Sequence, residues 1–337
     1  MIRPSVQPRP IRGVTLVAAS ALLFGINGTV SKLILEAGID APSVTLLRAA
    51  GAFVGLTGIA VAVPPGVPRL RAARAELPLL IAYGLCGFFL VPMLYFVAID
   101  RLPVGIALLF EYMAPLLVAL WARFGRRQRV RGRLWAGLAL SIAGLACVAE
   151  VWHGSLRLSG VGVAAGLGAA VLLCVYYLLG ARGAADRDAI SLTWWAFGAA
   201  AAAGLLIAAV RHGAHLFPVH VLGHTTHGLP VWALAIYLVV GGSIAPFMLV
   251  ATALRHLPPT SVGIIGMLEP VVASVVAWMV LDERLSPAQI AGGVLILVGV
   301  GIAETARIAG PAEAATDGTP SRGLVPAGVR KRAEWDA

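Results

Sequence analysis

The chain alternates long apolar blocks with short polar breaks. Such blocks recur at roughly 13–35, 42–63, 77–98, 103–122, 134–151, 160–181, 190–210, 231–254, 259–281 and 286–305. Each approaches the twenty or so residues that a helix, rising about 1.5 Å per residue, needs to cross about 30 Å of hydrocarbon. No water reaches that depth, so helices that satisfy their own backbone groups are the natural form for such blocks. The pattern therefore predicts an all-α integral membrane protein with ten transmembrane helices. The first block follows Arg3, Arg9 and Arg12, as a signal peptide would. Its apolar stretch is too long for that, and no small-x-small cleavage site follows, so it reads as helix 1.

A repeat lies beneath the hydropathy pattern. Residues 102–144, shifted by 155, align without a gap on 257–299. Pro115 then meets Pro270, Arg129 meets Arg284, and Gly137 and Gly144 meet Gly292 and Gly299. In both copies a mid-span Pro, a polar turn and a helix with Gly seven residues apart follow in order. Upstream, Ala41-Pro42-Ser43-Val44-Thr45 echoes Ala189-Ile190-Ser191-Leu192-Thr193. The expected organisation is a cytoplasmic tail at 1–12, five-helix repeats at 13–152 and 153–306, and a disordered cytoplasmic tail at 307–337. An odd number of spans per half makes the repeats inverted, a construction that recurs in secondary transporters.

Composition agrees with membrane residence: 59% of the 337 residues are hydrophobic and 12% are charged, where soluble domains average about 25% charged. A net charge of +10 would suit a nucleic-acid partner, but its distribution argues against one. With the N-terminus inside, the inner segments hold 20 Lys and Arg and the outer loops hold 4. That asymmetry predicts cytoplasmic termini, and the run from Arg126 to Arg133 is read as topological, with a secondary capacity to hold anionic lipid. Arg-rich, Ala- and Gly-rich usage points to a bacterial plasma (inner) membrane. Cys86, Cys147 and Cys174 all fall within spans and form no paired framework, so no disulfide or cysteine-ligated zinc is expected.

Several segments carry a family signature. They are Phe24-Gly25-Ile26-Asn27 through Lys32, Leu47-Arg48, Phe110-Glu111-Tyr112-Met113-Ala114-Pro115, Leu268-Glu269-Pro270 and Leu281-Asp282-Glu283-Arg284-Leu285-Ser286-Pro287. In this order the chain resembles an EamA-type transporter of the drug/metabolite transporter superfamily over about 13–305. The resemblance implies a ten-helix bundle around a central cavity and transport of small polar metabolites, often by export. Two positions depart from the family pattern: Phe24 stands where Trp is usual, and Arg127-Gln128 replaces an acidic pair.

Ionisable residues inside a span are functional candidates, because each costs about 2.5–3.5 kcal/mol at mid-depth. Arg48 and Glu111 fall about 9 and 12 Å below the outer ends of helices 2 and 4, and Glu269 about 15 Å along helix 9. Arg48 and Glu111 either pin helix 2 to helix 4 as a static ion pair or line a cavity that takes a charged or zwitterionic substrate. Glu269 either rests on local donors or binds substrate or proton. Lys32 can snorkel to the interface. Asn27 and Tyr112 lie well inside their spans and join the candidate site. Tyr95, Tyr176, Tyr177, Trp194 and Trp195 are further candidates, or else interface anchors. Pro115 and Pro270 each remove a backbone hydrogen bond and are either candidate hinges or tolerated kinks in bundle packing. The paired glycines are read as points of close helix approach.

His212, His215, His220, His224 and His227 crowd one outer loop, but their spacing fits no standard metal site. No Gly-Lys of a Walker A loop is present, and neither hydrolase nor zinc-protease motifs occur, so an enzyme is not expected. The sequence predicts a secondary carrier for a small polar metabolite, amino acids leading, without cofactor or metal. Export, with proton exchange, is the favoured direction; uptake or a scaffold role is the alternative. The expected partners are a small-molecule substrate and the bilayer, with a homodimer left open.

Overall fold

The computed structural model describes residues 9–39, 41–99, 101–102, 104–128, 130–152, 159–212, 228–281 and 286–308. His215, His220, His224 and His227, the pair Arg129 and Arg284, the acidic Asp282-Glu283 and the tail from 309 onward all lie outside these residues. Among the described residues fourteen α-helical segments run in chain order: α1 Pro10–Glu36, α2 Ala41–Ala62, α3 Leu77–Gly84, α4 Val91–Ile99, α5 Val104–Glu111, α6 Ala114–Leu120 and α7 Gly132–Val148. Then follow α8 Gly160–Asp186, α9 Ala189–His212, α10 Val231–Val239, α11 Ala245–Ala253, α12 Pro259–Gly266, α13 Glu269–Leu281 and α14 Pro287–Ile308.

Among the described residues, nine helical stretches are long and apolar enough to cross a membrane. The fifth predicted span, 134–151, is instead the shorter α7, which stops at Val148 and spans about 25 Å. Large apolar side chains cover the outside: Val54, Leu206, Val210 and Met279 are all exposed. In water such a surface would drive aggregation; in lipid it is the expected outer face.

Among the described residues four spans are interrupted in mid-course, each just before a proline, and the fourth also ends in a π-turn at Trp121–Gly125 that has no proline. In the third span α3 passes into a π-turn, Leu85–Leu90, before α4. The eighth span repeats this, with α10, a π-turn at Val240–Ile244 and then α11. Val91 N–H reaches back five residues to Cys86, and Ala245 N–H to Val240. The next residues are Pro92 and Pro246. A proline cannot donate to the carbonyl four residues back, and its ring crowds that carbonyl; widening the preceding turn makes room.

In the fourth and ninth spans the helix breaks outright. α5 ends at Glu111 and α6 resumes at Ala114, while α12 ends at Gly266 and α13 resumes at Glu269. The last turns tighten, with Met113 N–H bonding Phe110, Met267 N–H bonding Ile264 and Leu268 N–H bonding Ile265. Pro115 and Pro270 follow, unable to donate to the carbonyls of Glu111 and Gly266. Under the 155-residue offset the two breaks coincide.

α7 and α14 pack backbone to backbone. A Cβ on Gly137 would stand 2.5 Å from the Gly299 carbonyl oxygen, and one on Gly144 would stand 2.6 Å from that of Gly292. Under the 155-residue offset Gly137 corresponds to Gly292 and Gly144 to Gly299. Each glycine therefore meets the counterpart of the other, the contact pattern of a two-fold relation. The glycines do allow close approach, as their spacing predicts.

One end of the bundle is tied by a polar network between the segment before α3 and the start of α9. Arg187 donates to the Glu76 carboxylate, to Ser191 Oγ at 2.6 Å and to the Arg71 carbonyl at 2.8 Å. Ser191 in turn donates to the Arg69 carbonyl. Removing the Arg187 guanidinium leaves half-buried acceptors without it, so Arg187→Ala is expected to lower unfolding stability by about 2 kcal/mol. Arg71→Ala, where only the backbone carbonyl takes part, is expected to leave the thermal midpoint unchanged.

Candidate functional site

The two helix breaks carry the charged side chains. Glu111 is the last residue of α5 and Glu269 the first of α13, so each carboxylate hangs from an interrupted span. They are not counterparts: under the 155-residue offset Glu111 corresponds to Gly266, and Glu269 to Ala114. The repeated break has thus received its acid on opposite sides. Tyr112, inside the first break, donates its hydroxyl to the Glu269 carboxylate.

Arg48 of α2 completes the group. Its guanidinium and the Glu111 carboxylate act on one another, as do Glu111 and Glu269. The Arg48 head also lies 5.9 Å from the centre of the Phe247 ring, a cation–π distance. Yet Arg48 Nη2 is buried with no hydrogen-bond partner. Five N–H donors on a guanidinium are rarely left unused in a dry place, because each unmet donor costs about 1–3 kcal/mol. Arg48, Glu111 and Glu269 are all only partly buried, although they face one another from three different spans. Tyr95 of α4 and Tyr177 of α8 feel both carboxylates and add phenolic hydroxyls to the same region.

Phe247 also belongs to an aromatic cluster that adjoins Arg48. Phe88 lies 4.2 Å from Phe247 between ring centres, Phe24 packs edge-on to Phe247 at 5.1 Å, and Tyr83 stacks on Tyr176 at 5.1 Å. Asn27, one turn beyond Phe24 on α1, presses its side chain onto Gly242 in the π-turn of the eighth span. Its Oδ1 is buried without a partner.

The sequence-derived candidates thus divide. Arg48, Glu111, Tyr112 and Glu269 converge, and Tyr95 and Tyr177 join them. Pro115 and Pro270 are buried at the breaks, and Asn27 sits beside the aromatic cluster. Lys32 falls near the end of α1, and its side chain is outside the described residues. The indoles of Trp194 and Trp195 are committed elsewhere: they donate to Thr57 Oγ1 at 2.8 Å and to the Leu70 carbonyl at 2.9 Å, and so fasten α9 to α2 and its following loop. Sequence reasoning missed Phe247, an apolar residue in an apolar span. Only the neighbouring Pro246 could have drawn notice to it.

The sequence model of the EamA-like transporter family matches twice, over residues 11–149 and 160–304. The chain belongs to the EamA-like transporter family. Its relatives include the threonine/homoserine exporter RhtA of Escherichia coli (strain K12), 29% identical over 297 residues, covering 87% of this chain and 91% of that protein. The RhtA of Salmonella typhimurium (strain LT2) is 29% identical over 282 residues, covering 82% and 85%. An uncharacterized transporter of Archaeoglobus fulgidus is 29% identical over 297 residues, covering 86% and 96%. A crystal structure superposes with a TM-score of 0.72 at 21% identity, covering 88% of this chain and 98% of that one, and so shares the fold. This EamA-family chain is therefore a multi-pass membrane protein of a transporter family.

Proposed function

We propose that this protein is a secondary carrier that exports a small zwitterionic metabolite, an amino acid or close relative, from a bacterial cytoplasm by alternating access. The observation that carries the reading is the group Arg48, Glu111 and Glu269 set between two broken spans. Arg48 offers a free N–H to a substrate carboxylate, and the two carboxylates offer acceptors to its ammonium. One cation faces two acids, so a second cation, either a proton or the substrate ammonium, completes the charge balance. Competition of those two for one carboxylate is the elementary form of exchange coupling. The RhtA relatives, named for threonine and homoserine export, support an amino-acid substrate.

Two five-helix repeats, 13–152 and 153–306, supply the movement. The doubled family match, the reciprocal glycines of α7 and α14, and the paired breaks and π-turns all support an inverted pair of halves. Segments interrupted at Pro115 and Pro270 can change direction there at low cost, since the hydrogen bonds that would resist bending are already missing. Charge asymmetry supports cytoplasmic termini.

Counterflow in proteoliposomes tests the reading. Threonine, homoserine and other neutral amino acids should exchange, whereas N-acetyl amino acids and amino-acid amides should not, each lacking one charge. Glu269→Gln keeps the shape and the Tyr112 contact but removes the charge. It is expected to flatten the dependence of exchange on a pH gradient while the protein remains folded. Equal exchange of the acetylated and free amino acids would sink the zwitterion reading, and an unaltered pH response in both Glu269→Gln and Glu111→Gln would sink proton exchange.

A further inference from the structure

The end of the bundle where α1 starts gathers cations that the proposed transport site does not use. α1 opens at Pro10, with Arg9 just ahead of it and Arg12 in its first turn, and no acidic residue occupies that turn. Gly13 lies against Leu257, where an added Cβ would stand 2.5 Å from Leu257 Cγ. This contact seats the first turn of α1 on the connection between α11 and α12, which carries Arg255 and His256. His256 is only 7% exposed, and its Nδ1 is buried with no hydrogen-bond partner. Among the described residues, the charged groups acting on it are Arg12, Arg255 and Arg9, from the two segments that meet there.

Three guanidiniums, a buried imidazole nitrogen without a partner and the first N–H groups of a helix gather here, and among the described residues no carboxylate acts on His256. We propose that Arg9, Arg12, Arg255 and His256, with the N-terminus of α1, form a binding site for a phosphate group. The guanidinium fork matches phosphate geometry, and a helix N-terminus favours an anion. Burial first, and then the neighbouring arginines, lowers the His256 pKa from its usual value, so the imidazole is neutral at pH 7. An arriving anion offsets that repulsion. Bound phosphate would join α1, from the first family match, to the α11–α12 connection, from the second. The same chemistry is offered by a phospholipid headgroup at the membrane surface and by free phosphate.

Delipidated protein in neutral detergent distinguishes the sources. Phosphatidylglycerol, diacylglycerol with the same chains and inorganic phosphate are titrated separately, with native mass spectrometry and the thermal midpoint as readouts. Binding of phosphatidylglycerol at least about tenfold tighter than diacylglycerol, or a midpoint raised by phosphate, is the expected result. The first identifies a lipid headgroup and the second a free anion. Arg12→Gln/Arg255→Gln should weaken the response by about tenfold or more, the scale of one lost charge-assisted hydrogen bond. Arg126→Gln, in a different basic stretch, should leave it unchanged. Should the double variant fail to fold, His256→Gln alone decides, with weaker binding expected. Equal binding of the two lipids without a phosphate response overturns the site, as does parental affinity in the folded double variant or in His256→Gln.

Discussion

Arg48→Met is expected to lower counterflow at least about 100-fold while leaving the protein folded and monodisperse. Methionine fills much of the same space and keeps a contact with Phe247, so packing changes little. What disappears is the cation that faces Glu111 and carries an unpartnered Nη2. A hydrogen bond from a charged donor to a substrate carboxylate contributes about 1.5–3 kcal/mol, and about 2.7 kcal/mol is 100-fold. The double variant Arg48→Met/Glu111→Gln separates the two meanings of this residue. If Arg48 only pinned α2 to the fourth span, removing both charges would relieve the uncompensated carboxylate and restore transport. If Arg48 receives the substrate carboxylate, the double variant stays inactive although its stability recovers, and the residual exchange of Arg48→Met no longer distinguishes free amino acids from their amides. Activity within twofold of the parent in the single variant would remove Arg48 from the site altogether.

Gly292→Leu is expected to abolish folded protein, and Gly292→Ala to cost at least about 2 kcal/mol of stability. The reason is geometric. A Cβ at 292 would stand 2.5 Å from the Gly144 carbonyl oxygen and 2.7 Å from the Val148 nitrogen, and backbone cannot swing aside as a side chain can. Helices in lipid gain no hydrophobic drive from meeting each other, so contact of this closeness is what holds α7 to α14. Gly301 offers the control on the same helix: no atom lies within 4 Å of its Cβ position. Gly301→Ala should be neutral or slightly stabilising, since Ala favours a helix over Gly by up to about 1 kcal/mol. Thermal midpoints from size-exclusion profiles in detergent compare the variants. Equal midpoints for Gly292→Ala and Gly301→Ala would show that the crossing tolerates separation.

The chain itself determined whatever depends on neighbours along the backbone or on the bilayer. Span length against hydrocarbon thickness set the helices, with α7 shorter than its apolar block suggested. Pro115 and Pro270 marked the breaks because a missing N–H is a property of the residue alone. Gly137, Gly144, Gly292 and Gly299 announced a close crossing because only a bare Cα permits one. Arg48, Glu111 and Glu269 stood out because charge inside an apolar block requires a partner. The π-turns before Pro92 and Pro246 were also written there, in prolines 154 residues apart, one short of the repeat offset, but the pattern of hydrophobicity does not carry them.

Only tertiary structure decided which side chains meet. Arg48 and Phe247 lie 199 residues apart, and no periodicity relates them. Packing of α2 and α11 against the same neighbours brings ring and guanidinium together. Trp194 and Trp195 could have faced a cavity or an interface equally well by depth; the positions of Thr57 and Leu70 settled where their N–H groups go. Tyr112 reaches Glu269 because both breaks open onto one place, across 157 residues of chain. Local chemistry selects the candidates, since desolvation acts on each residue singly. Their convergence is a property of helix packing, where a side chain's partner depends on the crossing of spans remote in sequence.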